Sequence, residues 1–403
     1  MAAARFQNPF RPGAGHMPPY LAGREEETRE FRRLLEQTIV FENLVLTGLR
    51  GVGKTVLLDT LKPLAMGSRW MWAAGDMSES ASVNESSFAT RLITDLSVVT
   101  SGVVFEDAAL DAIGFRPSVT IEHRLNYAFL SALFEQSPGL VSDKLKAVLE
   151  FVWSILRQCD VRGIIFAYDE AQNMSDHAAK EQYPLSILLD VFQSIQRKDI
   201  PFMLVLSGLP TLFPKLVETR TYSERMFRVV FLRKLGREAS REAITRPIQD
   251  SKCPVKLRPE IIDQIVDNSG GYPYFIQFIC REVYDSAIQK LSMGELPGVP
   301  MVEIIRKLDA DFFAGRWARV TDRQRELLWV IASIEGASEE FSIQEVVERS
   351  RAMLKSAFSP SHANQMIATL GESGLVYRNR HGKYAFAVPL FGQFVKRQMS
   401  EAG

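Results

Sequence analysis

One short segment, Gly48-Leu-Arg-Gly51-Val-Gly53-Lys54-Thr55, has the residue types and spacing of G-x-x-x-x-G-K-[ST]. Where a strand ends, such a loop wraps back and a helix begins. Its backbone N–H groups then point inward, the helix N-terminus favours negative charge, and glycines allow close approach and positive φ. The chemistry implied is phosphate binding. Lys54 is suited to reach the β- and γ-phosphates of ATP, and Thr55 to coordinate Mg2+. Gly48, Arg50, Gly51, Val52, Gly53, Lys54, Thr55 and Val56 form the expected nucleotide-contacting set. A glycine turn that binds nothing is the competing reading. The apolar run Asn43–Thr47 before the loop and the helical pattern after it count against that.

Two acids end a second apolar run, Phe166-Ala-Tyr-Asp169-Glu170, roughly 110 residues further on. An apolar strand that delivers an aspartate to its C-terminal end is what a Walker B element needs, because strand C-termini gather at the ligand crevice of an open α/β sheet. Asp169 is expected to hold Mg2+, through water, and Glu170 to orient or deprotonate the attacking water. Leu204-Val-Leu-Ser207-Gly208 ends another apolar run in a hydroxyl. If that strand lies between the first and third, Ser207 comes near the γ-phosphate; otherwise it is an ordinary Ser-Gly turn.

These residues require an α/β sheet to position them. Asn43–Thr47, Arg69–Ala74, Val161–Tyr168, Phe202–Leu206 and Arg228–Leu232 read as short apolar strands, nearly continuous in the third and fourth as for strands buried on both faces. Helical patterns alternate with them: Gly23 to about Gln37, Thr55 to about Lys62 with Pro63 as a stop, Phe88–Val99 and Leu185–Lys198. Residues 101–160 carry helical pieces around Leu125–Phe134 and Asp143–Gln158 and read as an insert without an assigned role. The alternation implies a parallel five-stranded sheet with helices on both faces. From Gly236 the pattern becomes helical: Glu238–Ile248, Pro259–Asn268, Tyr274–Gln289 and Met301–Leu308. Three further helices follow (Thr321–Ser333, Ser342–Arg349 and Ser361–Ser373). Two short strands, Leu375–Tyr377 and Tyr384–Ala387, then flank Asn379-Arg380-His381-Gly382, a hairpin signal and the winged-helix order. The expected organisation is an extended lead-in over 1–20, a P-loop ATPase domain over 21–235, a helical lid over 236–315 and a winged helix over 316–403.

The order of these elements resembles the AAA+ and STAND branch of P-loop NTPases, and most of all the bacterial and archaeal ATPases related to origin-recognition replication initiators. Pro19-Tyr20-Leu21-Ala-Gly23-Arg24-Glu25 resembles the family segment that lies against adenine, which implies nucleotide contacts for Tyr20 and Leu21. Leu206-Ser-Gly-Leu-Pro210 resembles the sensor 1 strand and its exit. Tyr222-Ser-Glu-Arg225-Met-Phe-Arg228 stands where the family places an arginine finger; Arg225 is the first choice, with Arg220 and Arg228 as competitors. Gly270-Gly-Tyr-Pro273-Tyr274 resembles the lid motif of STAND-like members, and Pro273 is implied to touch the base side of the nucleotide. The resemblance spans about residues 15–290. One departure is the missing sensor 2 arginine, since no arginine occurs on the lid helix before Arg281.

The resemblance implies ATP, Mg2+ and a homo-oligomer, because a finger acts across subunits. Two outputs follow: action on duplex DNA or a DNA-bound assembly through the winged helix, or recruitment of a protein effector without DNA contact. The hairpin around Arg378, Arg380, His381 and Lys383 is locally basic, which suits DNA; the preceding helix offers Asn364 and Gln365 but no Lys or Arg. A small-molecule kinase fits less well, because Glu170 suits water activation. A net charge of +0 over 403 residues leaves any nucleic-acid surface local. Cys159, Cys253 and Cys280 show no Cys-x-x-Cys spacing and read as buried reduced thiols. No stretch reaches a membrane span, no signal-peptide core is present, and a cytoplasmic protein is expected. Trp70 and Trp72 read as core, and the charged run Arg24–Arg33 as a solvated helix face.

Overall fold

The computed structural model describes residues 7–13, 15–108, 120–251, 256–292 and 299–401. The chain forms two compact units: Glu25–Thr47 with Leu57–Phe231, and Met1–Arg24 with Gly48–Val56 and Leu232–Gly403.

In the first unit, α1 (Glu25–Leu35) opens with three glutamates and ends with Arg32 and Arg33, which complements the helix dipole, and it buries Phe31, Leu34 and Leu35. β1 (Asn43–Thr47) is fully buried. The helix α2 (Lys54–Gly67) follows the loop, then β2 (Trp70–Asp76) and α3 (Glu85–Thr100). An antiparallel hairpin, β3 (Val104–Ala108) and β4 (Thr120–Arg124), comes next, before α4 (Tyr127–Gln136) and α5 (Val141–Leu156). β5 (Gly163–Asp169), α6 (Pro184–Gln196), β6 (Phe202–Gly208), α7 (Leu212–Thr219), the short α8 (Ser223–Met226) and β7 (Phe227–Phe231) complete the unit.

The five strands β2-β5-β6-β1-β7 form one sheet, parallel throughout. β6 lies between β1 and β5, as the Ser207 argument requires. Thr47 pairs with Gly208, Leu206 with Tyr168, and Asp169 with Asp76, so the strand C-termini share one edge. β1, β5 and β6 are buried at every position, which is why their sequences read as unbroken apolar runs. Asn43 anchors the opposite end. Its buried amide accepts from Leu204 N–H (2.7 Å) and from Gln196 Nε2 (2.8 Å), and donates to the Met226 carbonyl (3.2 Å). One side chain thereby ties β1 to β6, α6 and the end of α8.

Several expectations are corrected. Pro63 does not stop α2, which runs through it to Gly67. Leu57, Leu61 and Ala65, fully buried on one helix face, hold the segment helical against the missing N–H. The hairpin β3–β4, α7 and α8 were not anticipated; the last two are short and lie between stronger signals. Trp70 and Trp72 are core, as expected. Cys159 is exposed rather than buried, Cys280 is buried, and Cys253 lies outside the described residues.

In the second unit, α9 (Arg237–Asp250), α10 (Pro259–Ser269), α11 (Pro273–Ser292) and α12 (Met301–Leu308) are followed by a π-helical turn, Asp309–Phe313, and α13 (Ala314–Trp317). Next come α14 (Asp322–Ala332), α15 (Ile343–Met353) and α16 (Pro360–Glu372). The strands β8 (Val376–Arg380) and β9 (Lys383–Phe386) pair as a hairpin, and α17 (Phe391–Glu401), not foreseen, closes the chain. Thr321 and Ser342 cap their helices in reciprocal boxes with Gln324 and Glu345. Phe313 joins α11 to α17: its ring lies 5.9 Å from Phe275 and 5.2 Å from Phe394. Arg397 of α17 grips Asp309 with two hydrogen bonds. Residues 8–11 lie along α11, where Phe10 stacks on Tyr284 and Asn8 Nδ2 donates to Asp285. Among the described residues, no helix is long and apolar enough to cross a membrane.

Replacing Asn43 with alanine strands a buried backbone N–H at Leu204. The expected loss is about 1–3 kcal/mol of stability, read as a lowered urea midpoint with an unchanged m-value.

Candidate functional site

The loop between β1 and α2 carries the phosphate-binding sequence. Gly51 (φ +78°) and Gly53 (φ +90°) occupy the left-handed region that side chains avoid. Lys54 is buried, and its ammonium folds back over the loop to donate to the carbonyls of Gly48 (3.1 Å) and Leu49 (3.2 Å). Val52 is buried, Arg50 is exposed, and Thr55 and Val56 are half-buried in the first turn of α2. The loop therefore combines a helix N-terminus, paired left-handed glycines and a cation, a donor set that fits a polyphosphate.

Two contacts hold this loop from within its own unit. The Tyr274 N–H donates to the Gly51 carbonyl (3.2 Å), which fixes the loop to the first turn of α11, with Pro273 at its start. Arg24 supplies the other. It is buried, and its guanidinium donates to the carbonyls of Val52 (2.8 Å) and Arg233 (2.9 Å). The reading of Arg24 as part of a solvated charged face is thus wrong, because two backbone carbonyls distant in sequence claim its donors. Tyr20 and Leu21 are half-buried; the Tyr20 hydroxyl donates to Glu242 at 3.4 Å. Arg281 pairs loosely with Asp285 (3.7 Å).

At the C-terminal edge of the sheet, Asp169 is buried, with Oδ1 accepting from the Glu170 N–H (2.9 Å). Glu170 is exposed and left-handed (φ +52°). Asp59 of α2 was not singled out from sequence. Burial and the Asp169 carboxylate raise its pKa above the ordinary aspartate value, against the pull of Lys62. Ser207 is fully buried, and among the described residues neither its Oγ nor the buried Thr47 Oγ1 has a hydrogen-bond partner. Orphaned buried hydroxyls are rare and costly. Among the described residues, no group of three or more His, Cys, Asp or Glu is arranged to hold a metal ion.

The three finger candidates part ways. Arg220 makes a two-pronged pair with Asp190 (2.9 and 2.8 Å), which also accepts from the Tyr222 hydroxyl (2.6 Å). Arg228 pairs with Glu30 at 3.1 Å. Arg225, on α8, is exposed, and among the described residues its guanidinium has no partner. No sequence pattern separates the three; the acidic partners of Arg220 and Arg228 lie on other elements.

A family model described as a domain of unknown function (DUF8462) matches residues 310–395. No curated protein matches the chain. Among solved structures, a Walker-type ATPase of Pyrococcus abyssi is similar at 16% identity and a TM-score of 0.59, over 96% of this chain and 98% of that one. The Aeropyrum pernix ORC2 protein in its ADP form is similar at 13% identity and a TM-score of 0.53, over 97% and 100% of the two chains. The fold, with its five-stranded parallel sheet, is therefore shared with these two structures over nearly the whole chain.

Arg24→Ala removes two charge-assisted bonds from beneath the loop. ATP affinity is expected to fall about tenfold, equivalent to about 1.4 kcal/mol, measured by titration with a fluorescent ATP analogue.

Proposed function

We propose that this protein binds and hydrolyses ATP with Mg2+ and works as an AAA+-type switch. The observation that carries the reading is the loop itself: Lys54 sits inside a turn with left-handed Gly51 and Gly53, at the end of a fully buried parallel strand. Backbone N–H groups of Gly48–Val56 and the Lys54 ammonium hold the phosphates. Thr55 and Asp169 hold Mg2+, which neutralises phosphate charge when bound. Glu170 orients the attacking water, and the unpartnered Ser207 hydroxyl reads the γ-phosphate. Tyr20, Leu21 and Pro273 contact the base side. Residues 21–235 serve as the ATPase domain, 236–315 as the lid and 316–403 as a winged helix.

Arg225 acts as a finger on a neighbouring copy, because it alone of the three arginines has its guanidinium uncommitted. The assembly is then a homo-oligomer. In place of a sensor 2 arginine, the Tyr274–Gly51 hydrogen bond links the phosphate loop to the lid. A change of nucleotide state shifts that link and reorders the lid.

The basic residues of the hairpin suit DNA contact by their sequence. Two of its charges, Arg380 and Lys383, are engaged in ion pairs, while Arg378 is exposed and has no ion pair among the described residues. Arg380 pairs with Glu340 and Lys383 with Glu345 (3.1 Å); Arg380 holds the Glu340 carboxyl below its usual range. Asn364 and Gln365 on the exposed face of α16 bring no charge. Phosphate contact through Arg380 or Lys383 would have to break a pair, which leaves Arg378 as the hairpin's ready cation and favours the second reading, a protein effector docked on the C-terminal module.

Lys54→Ala is expected to abolish nucleotide binding, and Glu170→Gln to keep binding while losing hydrolysis. Survival of turnover in Glu170→Gln rules out Glu170 as the water-activating group. Arg225→Ala should hydrolyse slowly, and mixing it with Lys54→Ala chains should restore activity, since each supplies what the other lacks. ATPase rates are expected to be the same with and without duplex DNA. Salt-sensitive DNA binding, compared at two ionic strengths, or stimulation by DNA would restore the DNA reading.

A further inference from the structure

Gln172 stands in the short helical turn Ala171–Asn173, directly after β5 and Glu170. Its side chain is engaged at both ends. The amide nitrogen donates to Glu170 Oε2, and the amide oxygen accepts from the Leu209 N–H at 3.0 Å, just beyond β6. These partners fix the amide's orientation, because a backbone N–H only donates and an ionised carboxylate only accepts. A glutamate here could serve Leu209 but would repel Glu170. A lysine or arginine could serve Glu170 but would leave the Leu209 N–H without an acceptor.

The surroundings are built to hold this bridge. Gly208 has no side chain at the point of closest approach: a Cβ there would lie 2.6 Å from Gln172 Oε1. Lys215 of α7 donates to the Gln172 carbonyl (2.8 Å) and to Ser175 Oγ (2.6 Å). Asn173 Nδ2 donates to the Met77 carbonyl at 3.2 Å. Glu170 itself keeps a left-handed backbone, a conformation that persists only where neighbours over-determine it. The strand that ends one residue before Leu209 carries the unpartnered Ser207.

We propose that Gln172 is a positioning residue that clamps Glu170 to the exit of the Ser207 strand and so sets the orientation in which Glu170 meets the attacking water. The terminal carboxylate torsion of a glutamate is soft. With Oε2 held by the amide, Oε1 is directed to the water, and the group that reads the γ-phosphate and the group that activates water shift together. This rests on the reading of Glu170 as the water-activating group.

The test is steady-state ATPase and nucleotide binding for Gln172→Ala, Gln172→Glu, Glu170→Gln and the Gln172→Ala/Glu170→Gln double variant, with melting curves for each. Gln172→Ala is expected to lower kcat about tenfold while KM and nucleotide affinity change less than about twofold. Gln172→Glu keeps the acceptor for Leu209 and loses the donor, so it should lose at least as much; as a near-isostere it also carries the test should the alanine variant fold poorly. On the residual hydrolysis of Glu170→Gln, followed in single turnover with enzyme in excess, Gln172→Ala should cause no further loss. Unchanged kcat in both single Gln172 variants, or an equal fold-loss with and without the Glu170 carboxylate, overturns the proposal while the Glu170 reading stands. Full turnover in Glu170→Gln overturns both.

Discussion

The constraint on which the rest depends is that β1 is hydrogen-bonded on both sides. It pairs with β6 along one edge and β7 along the other, and both of its faces are buried. A strand so placed has no freedom in register, because a slip would break two ladders and bury the wrong groups. The phosphate loop begins at the next residue. Its starting point is therefore set by the best-determined strand of the sheet, and Asn43 secures the far end of that strand to three neighbouring elements.

Order at the sheet edge is bought with polar groups that the protein leaves incompletely satisfied. Ser207 and Thr47 each bury a hydroxyl without a partner, at a cost of about 1–3 kcal/mol apiece on typical scales. Asp169 is buried close enough to Asp59 to raise that neighbour's pKa. Folding alone gains nothing from such groups. Stability elsewhere offsets them: the continuous apolar strands, and the aromatic cluster around Phe313 in the other unit.

The loop also belongs, by its contacts, with the helical part of the chain. Arg24 and Tyr274 reach it from segments far apart in sequence, and both do so through backbone carbonyls. Such bonds depend on loop conformation rather than on side-chain identity. A shift in the loop backbone would move the same carbonyls, so it would be felt at Arg24 and at the start of α11.

Sequence alone determined what is local and repetitive. Unbroken apolar runs marked the buried strands, the glycine-lysine-threonine spacing marked the loop, Asp169-Glu170 marked a strand end, and Asn379–Gly382 marked the hairpin. Each signal lies within a few neighbouring residues, so the pattern and the physics coincide. Tertiary structure decided whatever depends on a distant partner. Pro63 sits inside a helix because Leu57, Leu61 and Ala65 bury the face beside it. Arg24 is a buried strut because Val52 and Arg233 offer carbonyls; Arg220 and Arg228 are committed because Asp190 and Glu30 lie across from them, and Arg225 is not. Gln172 gained its place only when β5 and β6 were set side by side. A charge or amide in a sequence shows what it can bond to; only the fold brings it a partner.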